Sequence, residues 1–306
     1  MSAEGSTRAI LAALLANAGI AVAKFVGFLI TGSSSMLAEA VHSVADTSNQ
    51  GLLLLGQRQS RKEADPLHQF GYGRSRYFYS FVVALVLFTL GSVFALYEGY
   101  HKISHPAELT SPIVAIVILV LAIGLEGYSF RTAVKESRPL KRSGSWWRFI
   151  RTSRNPELPV VLLEDSGALV GLVLALIGVG LTVLTGNAVW DGIGTVGIGL
   201  LLGVIAVVLM VEMHSLLIGE GATGEEDLAI RAALERTDNI DRVIHLRTQY
   251  LSPEELLVGA KIALAAATDL ATVATAIDTA EAAIRAAVPA AQVIYLEPDL
   301  DRTPTG

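Results

Sequence analysis

Residues 36–56, MLAEAVHSVADTSNQGLLLLG, are apolar at both ends of the stretch and polar in its middle. The stretch is long enough to cross a membrane as a helix, because about 20 residues span ~30 Å of hydrocarbon. Its middle nevertheless carries Glu39, His42, Asp46 and Asn49. Ionisable groups in a membrane helix cost about 2.5–3.5 kcal/mol each, so they normally face the bundle interior and serve a function. The stretch therefore predicts a membrane helix that carries a functional site.

The rest of the chain has the composition of a polytopic α-helical membrane protein. Of its 306 residues, 52% are hydrophobic and only 17% are charged, and the mean hydropathy is +0.52. Six transmembrane helices are predicted, at residues 8–31, 35–57, 77–101, 111–135, 158–184 and 190–218. The first apolar run is too long for a signal peptide and is interrupted by Asn17 and Lys24, so we expect it to be retained.

Charge predicts the orientation and excludes some functions. Lys and Arg concentrate in segments 58–76 and 131–157, whereas the opposite loops are nearly free of them apart from Lys102. The positive-inside rule then places both termini in the cytoplasm. We expect an integral membrane protein in the inner (cell) membrane of a bacterium. The net charge of −6 offers no basic patch for nucleic acid, and the absence of cysteine excludes disulfides and thiolate metal sites.

A small soluble domain is predicted after the glycine-containing link at 219–224. Residues 225–237 are predicted to form a helix, followed by strands at 241–251 and 255–265 around the turn SPEE, a helix at 269–289 and a strand at 292–298. This order, α-β-β-α-β, predicts an α+β domain with one helical layer over a sheet. The expected domains are therefore 1–218 in the membrane and 219–306 in the cytoplasm.

The polar residues of the second and fifth predicted helices could hold a metal ion. His42, Asp46 and Asn49 have i, i+4, i+7 spacing and share one helix face. An imidazole and a carboxylate four residues apart can bind one ion, and zinc accepts both at ~2.0–2.2 Å. Glu164 and Asp165 are adjacent and point about 100° apart on a helix, so only one should reach the same centre. A fourth donor could be Glu164, Asn49 or a water.

The same polar residues allow another interpretation. Asn, His and Asp side chains also form hydrogen bonds between membrane helices without binding a ligand. In that case the chain would be a non-transporting membrane sensor or scaffold. Glu98 and Glu126 could pair with Lys24 or with each other, and neutralising Lys24 would explain one of them.

Three segments resemble one known family, the cation diffusion facilitators. They are MLAEAVHSVADTSNQ at 36–50, ADPLHQFGYGRSRYFY at 64–79 and EDSGALVGLVLALIGV at 164–179. The resemblance implies export of a divalent metal cation in exchange for protons, so the metal is a substrate and the protein is not an enzyme. Zinc is the first expectation, with manganese or iron as alternatives. A homodimer joined through the α+β tails is also implied.

The resemblance carries over some site residues and departs at others. His42, Asp46 and Asp165 match the family's ligand positions, with Glu164 and Asn49 as further candidates. The family usually has His or Asp four residues before the fifth-helix Asp, where this chain has Val161. The loop motif keeps Asp65 and His68 but has Tyr72 in place of a second His, and the tail keeps only His245, which we expect to be an ordinary strand residue.

Overall fold

A computed structural model describes residues 3–106, 109–141, 144–264 and 269–299 of the chain. The described residues divide into two compact units. One contains the residues up to Arg58 together with Arg76–His214, and the other contains Gln59–Ser75 together with the residues from Ser215 onward.

The first unit is helical, and its helices cover the six segments predicted to cross the membrane. The helices are α1 (Ala3–Thr31), α2 (Ser34–Ser60), α3 (Ser75–Val86), a π-helical stretch (Leu87–Val93), α4 (Phe94–Ser104), α5 (Pro112–Lys141), α6 (Trp146–Thr152), α7 (Glu157–Thr185) and α8 (Val189–Ile218). Two features differ from the prediction, since α5 continues beyond residue 135 and the short helix α6 lies in a segment predicted to be a loop.

Four helices are long and apolar enough to span a membrane, counted over the described residues. They are Ser75–Ser104, Pro112–Lys135, Glu157–Thr185 and Val189–Ile218, and Asn17–Thr31 is a shorter apolar helix. The polar residues of α2 lower its hydropathy, and half of them are buried. The prediction of six spans is therefore confirmed only in its four most apolar members.

Glycine and proline lie at several helix ends. Gly32 follows α1 with a φ of 65°, and Gly186 follows α7 with a φ of 69°, both in the left-handed region that glycine adopts without strain. The amide of Gly186 donates to the Thr182 carbonyl at 2.9 Å, which closes the last turn of α7. Pro112 is the first residue of α5, where its missing N–H costs nothing.

Close glycine packing joins α4 to α8. A Cβ atom added to Gly99 would lie 2.8 Å from the backbone nitrogen of Val196 and 2.9 Å from the carbonyl oxygen of Gly192. No side chain fits at that separation, so the two helix backbones pack directly against each other. Small residues at such crossings are typical of helix pairs in membranes.

The tail has the predicted α-β-β-α-β order. Its elements are α9 (Gly224–Glu235), β1 (Ile240–Ser252), β2 (Glu255–Leu264), α10 (Leu270–Ala287) and β3 (Ala291–Asp299). The sheet order is β1-β2-β3, with β1 antiparallel and β3 parallel to β2. Ile230, Leu234 and Ile284 of the helices are buried against the sheet. Residue 265, predicted as the end of the second strand, lies outside the described residues.

Candidate metal centre

The polar residues of α2 lie on one buried face, as their spacing predicts. His42 is 1% exposed, Asp46 is 9% exposed and Asn49 is fully buried. Nε2 of His42 lies 3.5 Å from Oδ2 of Asp46. That distance is too long for a good hydrogen bond, so the two groups are neighbours that are not bonded to each other.

Several polar atoms of this face have no hydrogen-bond partner among the described residues. They are both ring nitrogens of His42, Oδ1 of Asp46 and Oδ1 of Asn49. A buried polar atom left unsatisfied costs about 1–3 kcal/mol, so such a group of atoms is expensive in a folded protein. The atoms are all of the kinds that a divalent cation accepts.

The two adjacent acidic residues in the middle of α7, Glu164 and Asp165, have different neighbours. Oε1 of Glu164 accepts a 2.6 Å hydrogen bond from Nδ2 of Asn49 on α2. Oδ2 of Asp165 accepts a 3.2 Å hydrogen bond from the hydroxyl of Ser129 on α5. The adjacent side chains thus point to different helices, in line with their 100° separation.

The candidate ligands of α2 and α7 lie in one region of the bundle, but their side chains do not meet around one point. Asp46 lies within electrostatic reach of both Glu164 and Asp165. Within the described residues, however, no three His, Asp or Glu side chains converge closely enough to hold a metal ion. The set of His42, Asp46, Asn49, Glu164 and Asp165 therefore remains a prediction.

A buried lysine lies beside the site, and its main partner is one that the sequence did not assign. Nζ of Lys24 is 3.1 Å from Oε2 of Glu39 and donates to the Ser43 hydroxyl at 2.8 Å. Glu126 is further away, at 4.0 Å from Nζ. Lys24 and Glu39 are fully buried. The sequence contained a signal for the pair of Lys24 and Glu39. A buried lysine requires an anion, and Glu39 stands in the same polar stretch as His42.

Val161 stands four residues before Asp165, where the cation diffusion facilitators usually have His or Asp. Its side chain packs against an apolar cluster of Ala133, Phe149 and Leu162. Val161 contributes to core packing at this position, and it offers no donor atom to a cation.

The loop at 59–75 is closed by a tyrosine–aspartate contact. The Tyr72 hydroxyl donates to Oδ2 of Asp65 at 2.7 Å, and the amides of Leu67 and His68 donate to Oδ1 at 2.9 and 2.6 Å. The Tyr72 hydrogen bond, followed by the His68 amide, lowers the pKa of Asp65 to about 2. The same contact raises the pKa of Tyr72. Tyr72, which stands in place of the second His of the loop motif, thus donates a hydrogen bond to the Asp65 carboxylate.

His245 lies in strand β1, where it pairs in register with Lys261 of β2, and its side chain is exposed. The prediction that this histidine is a strand residue is confirmed.

Comparison with known proteins identifies the family. The sequence pattern of the cation efflux transmembrane domain matches residues 10–218. The mitochondrial proton-coupled zinc antiporter SLC30A9 of Homo sapiens is 34% identical over 244 residues, which are 79% of this chain and 43% of that protein. Metal tolerance protein C4 of Arabidopsis thaliana is 29% identical over 261 residues, 85% of this chain and 57% of that protein. The chain therefore belongs to the cation efflux family, also called the cation diffusion facilitators.

The chain spans less than half the length of the human relative. The solved C-terminal domain of MamM in a nickel form matches 26% of this chain and 100% of its own, with 16% identity and a TM-score of 0.25.

Proposed function

We propose that this protein exports a divalent metal cation across a membrane in exchange for protons. The observation that carries the proposal is the buried set of unsatisfied atoms on His42, Asp46 and Asn49, facing Glu164 of α7. A family of cation transporters supplies the context in which such a costly arrangement is useful. Zinc is the first candidate because it accepts imidazole together with carboxylate, and manganese or iron are alternatives.

Each candidate residue would bind the cation through the donor atom that its side chain offers. Neutral His42 would provide a nitrogen donor, and Asp46 and Asp165 would provide anionic oxygen donors. Glu164 or the Asn49 oxygen would complete a four-ligand shell. Because metal ligands must be deprotonated, an arriving cation displaces protons and arriving protons displace the cation. Exchange of the two follows from that competition.

The membrane arrangement is part of the proposal. Residues 1–218 would form a transport domain of six membrane helices, and residues 219–306 would form a cytoplasmic domain that joins two copies into a homodimer. The basic segments 58–76 and 131–157 support cytoplasmic termini. Location in a bacterial inner membrane stays a prediction, since the name of the human relative places that protein in mitochondria.

Metal flux into vesicles tests the proposal. Protein reconstituted in liposomes should move zinc when a proton gradient is imposed, and Asp46→Asn should abolish that flux while the protein stays folded. His105→Ala, which removes an exposed histidine outside the site, is the matched control and should transport normally. Wild-type flux in a well-folded Asp46→Asn variant would exclude this site.

One observation favours the second candidate, a non-transporting sensor or scaffold. In the part of the chain that is described, no closed set of three ligands is present, and Val161 offers none. Calorimetry with zinc, manganese and iron together with the flux measurement separates the candidates. A protein that binds none of these metals and moves none would refute the transport proposal and leave the sensor or scaffold as the remaining candidate.

A further inference from the structure

Asp191, in the first turn of α8, caps the N-terminus of a different helix. Its Oδ1 accepts hydrogen bonds from the Ser33 hydroxyl at 2.9 Å and the Ser35 amide at 3.3 Å. Its Oδ2 accepts from the amide and the hydroxyl of Ser34, at 2.8 and 3.1 Å. Free amides at a helix N-terminus are normally capped by a nearby side chain. For α2 that acceptor comes from a residue more than 150 positions away.

The backbone of Asp191 extends the contact to α7. Its amide donates to the Thr182 hydroxyl at 3.1 Å, and its carbonyl oxygen accepts from the Ser35 hydroxyl at 3.0 Å. Ser35 also lies 2.9 Å from the hydroxyl of Thr195 on α8. We call the group of Ser33, Ser34, Ser35, Thr182, Asp191 and Thr195 the Asp191 junction, and each member is at most 7% exposed.

Close backbone packing surrounds the Asp191 junction. A Cβ atom on Gly178 of α7 would lie 3.0 Å from the carbonyl oxygen of Trp190 and 3.4 Å from Cα of Asp191. A Cβ atom on Gly194 of α8 would lie 3.0 Å from the carbonyl oxygen of Leu174. The two helices therefore touch through their backbones here, and such a contact has little room to slide.

The buried carboxylate is held by neutral donors and by the positive end of a helix. Four hydrogen bonds to hydroxyl and amide groups reach its two oxygens. The N-terminus of α2 adds favourable electrostatics, because partial positive charge gathers there. Separating α8 from α2 would break all four bonds together, so the structure strongly favours the joined arrangement.

The Asp191 junction connects both helices that carry the predicted ligands. His42, Asp46 and Asn49 lie on α2, and Glu164 and Asp165 lie on α7. Both helices are hydrogen-bonded to Asp191 of α8. Asp191 therefore fixes the N-terminal end of α2 against the C-terminal end of α7, and this also fixes how their ligands face each other.

We propose that the Asp191 junction is a permanent pivot, and that Asp191 is a positioning residue for transport. In this view α2, α7 and α8 stay joined at this end throughout the cycle, and the ligand-bearing helices move apart elsewhere along their lengths. The proposal rests on the proposed transport function, because it describes what stays fixed while a cation passes.

A reversible cross-link tests whether the junction must open. The chain contains no cysteine, so Ser35→Cys with Thr195→Cys introduces the protein's only two thiols. Their hydroxyl oxygens are 2.9 Å apart, so the two side chains meet directly across the contact between α2 and α8. We expect the oxidised protein, in which thiol labelling shows complete cross-linking, to transport zinc as well as the reduced protein does. Flux that is lost on oxidation and restored by reductant would overturn the pivot. Each single-cysteine variant, treated with the same oxidant, is the control.

Removing the carboxylate tests the positioning role. Asp191→Ala should accelerate hydrogen exchange of the Ser34 and Ser35 amides by about tenfold, the effect of losing about one hydrogen bond. It should also lower zinc flux, and oxidation of the triple variant with Ser35→Cys and Thr195→Cys should restore that flux. Unchanged exchange and flux in Asp191→Ala would overturn the proposal, as would failure of a complete cross-link to restore flux. If Asp191→Ala does not fold, Asp191→Asn, which keeps one carbonyl acceptor, should show a smaller change in the same direction.

The exchange measurement separates this proposal from the proposed function. Amide exchange at Ser34 and Ser35 can be measured in the protein without any metal. A wild-type protein without zinc flux would refute the transport function, and the exchange rates would still report whether Asp191 holds α2.

Discussion

The side-chain amide of Asn49 donates a 2.6 Å hydrogen bond to Oε1 of Glu164, and both side chains are buried. This bond directly joins α2 and α7, the two helices that carry all the predicted ligands. It fits a structural contact between membrane helices, and it also fits a ligand held in place before an ion arrives. Replacing the charge while keeping the hydrogen bond distinguishes the two roles.

Glu164→Gln makes that replacement. Its carbonyl oxygen can still accept from Asn49, so the variant should unfold at the wild-type temperature. Its zinc affinity should fall by about tenfold or more, because a neutral amide replaces an anionic oxygen. Titration calorimetry measures the affinity, and Glu235→Gln, at an exposed position on α9, is the control. Unchanged affinity would make Glu164 a helix contact alone.

Val161→His should raise the zinc affinity by about tenfold, or ~1.4 kcal/mol. The new imidazole would stand four residues before Asp165 and so add a nitrogen donor on the same face. The variant should also unfold at a lower temperature, because Val161 packs in an apolar cluster. Val161→Leu controls for packing. A stable Val161→His protein with wild-type affinity would show that residue 161 does not face the site, or that another residue already completes the ligand shell.

Lys24→Met should destabilise the protein by about 3–5 kcal/mol, since it leaves the buried Glu39 carboxylate without its cation. The double variant with Glu39→Gln should recover most of that loss, because no buried charge then remains unpaired at this pair. Thermal unfolding followed by tryptophan fluorescence in detergent measures both. Lys102→Met is the matched control, as Lys102 is buried but donates to the Gly32 carbonyl. Additive losses in the double variant would contradict the pairing.

Tyr72→Phe should raise the pKa of Asp65 from about 2 towards the ordinary value near 3.9. It should stay below that value, because the Leu67 and His68 amides still donate to the carboxylate. A lowered pKa stabilises the loop above pH ~4, and the contribution is lost as the pH falls through about 2. In the variant this contribution should be smaller, and its loss should be complete at a higher pH. Carbon NMR of labelled aspartate measures the pKa, with Tyr295→Phe as the control. An unchanged Asp65 pKa in Tyr72→Phe would refute the contact.

Local patterns predicted the elements of this fold well. Most helices and strands begin and end within a few residues of the predicted bounds, because apolar runs and glycine or proline positions are local signals. The exceptions are α5, which extends to Lys141, and α6, which was not predicted. The shared buried face of His42, Asp46 and Asn49 also followed from helical spacing alone.

Long-range pairings were beyond the sequence. Nothing in the spacing of residues indicates that Asp191 caps α2, or that Lys24 lies closer to Glu39 than to Glu126. Such contacts depend on how distant helices pack, and a single sequence contains no measure of that packing. The same limit applies to Glu164 and Asp165, because their adjacent positions in the sequence do not show which helix each side chain contacts. In the structure Glu164 contacts α2 and Asp165 contacts α5.

The π-helical stretch Leu87–Val93 explains why buried residues in this part of the chain are spaced four apart. Leu87, Gly91, Ala95 and Gly99 are all buried, and they recur every four residues. In an α-helix each four-residue step overshoots a full turn by about 40°, so three steps would carry the last residue well off the first residue's face. The wider turns of the π-helical stretch absorb this drift and keep the four residues in phase. A helical wheel drawn for residues 75–104 must therefore be shifted after Val93, or it will assign the residues of α4 to the wrong face.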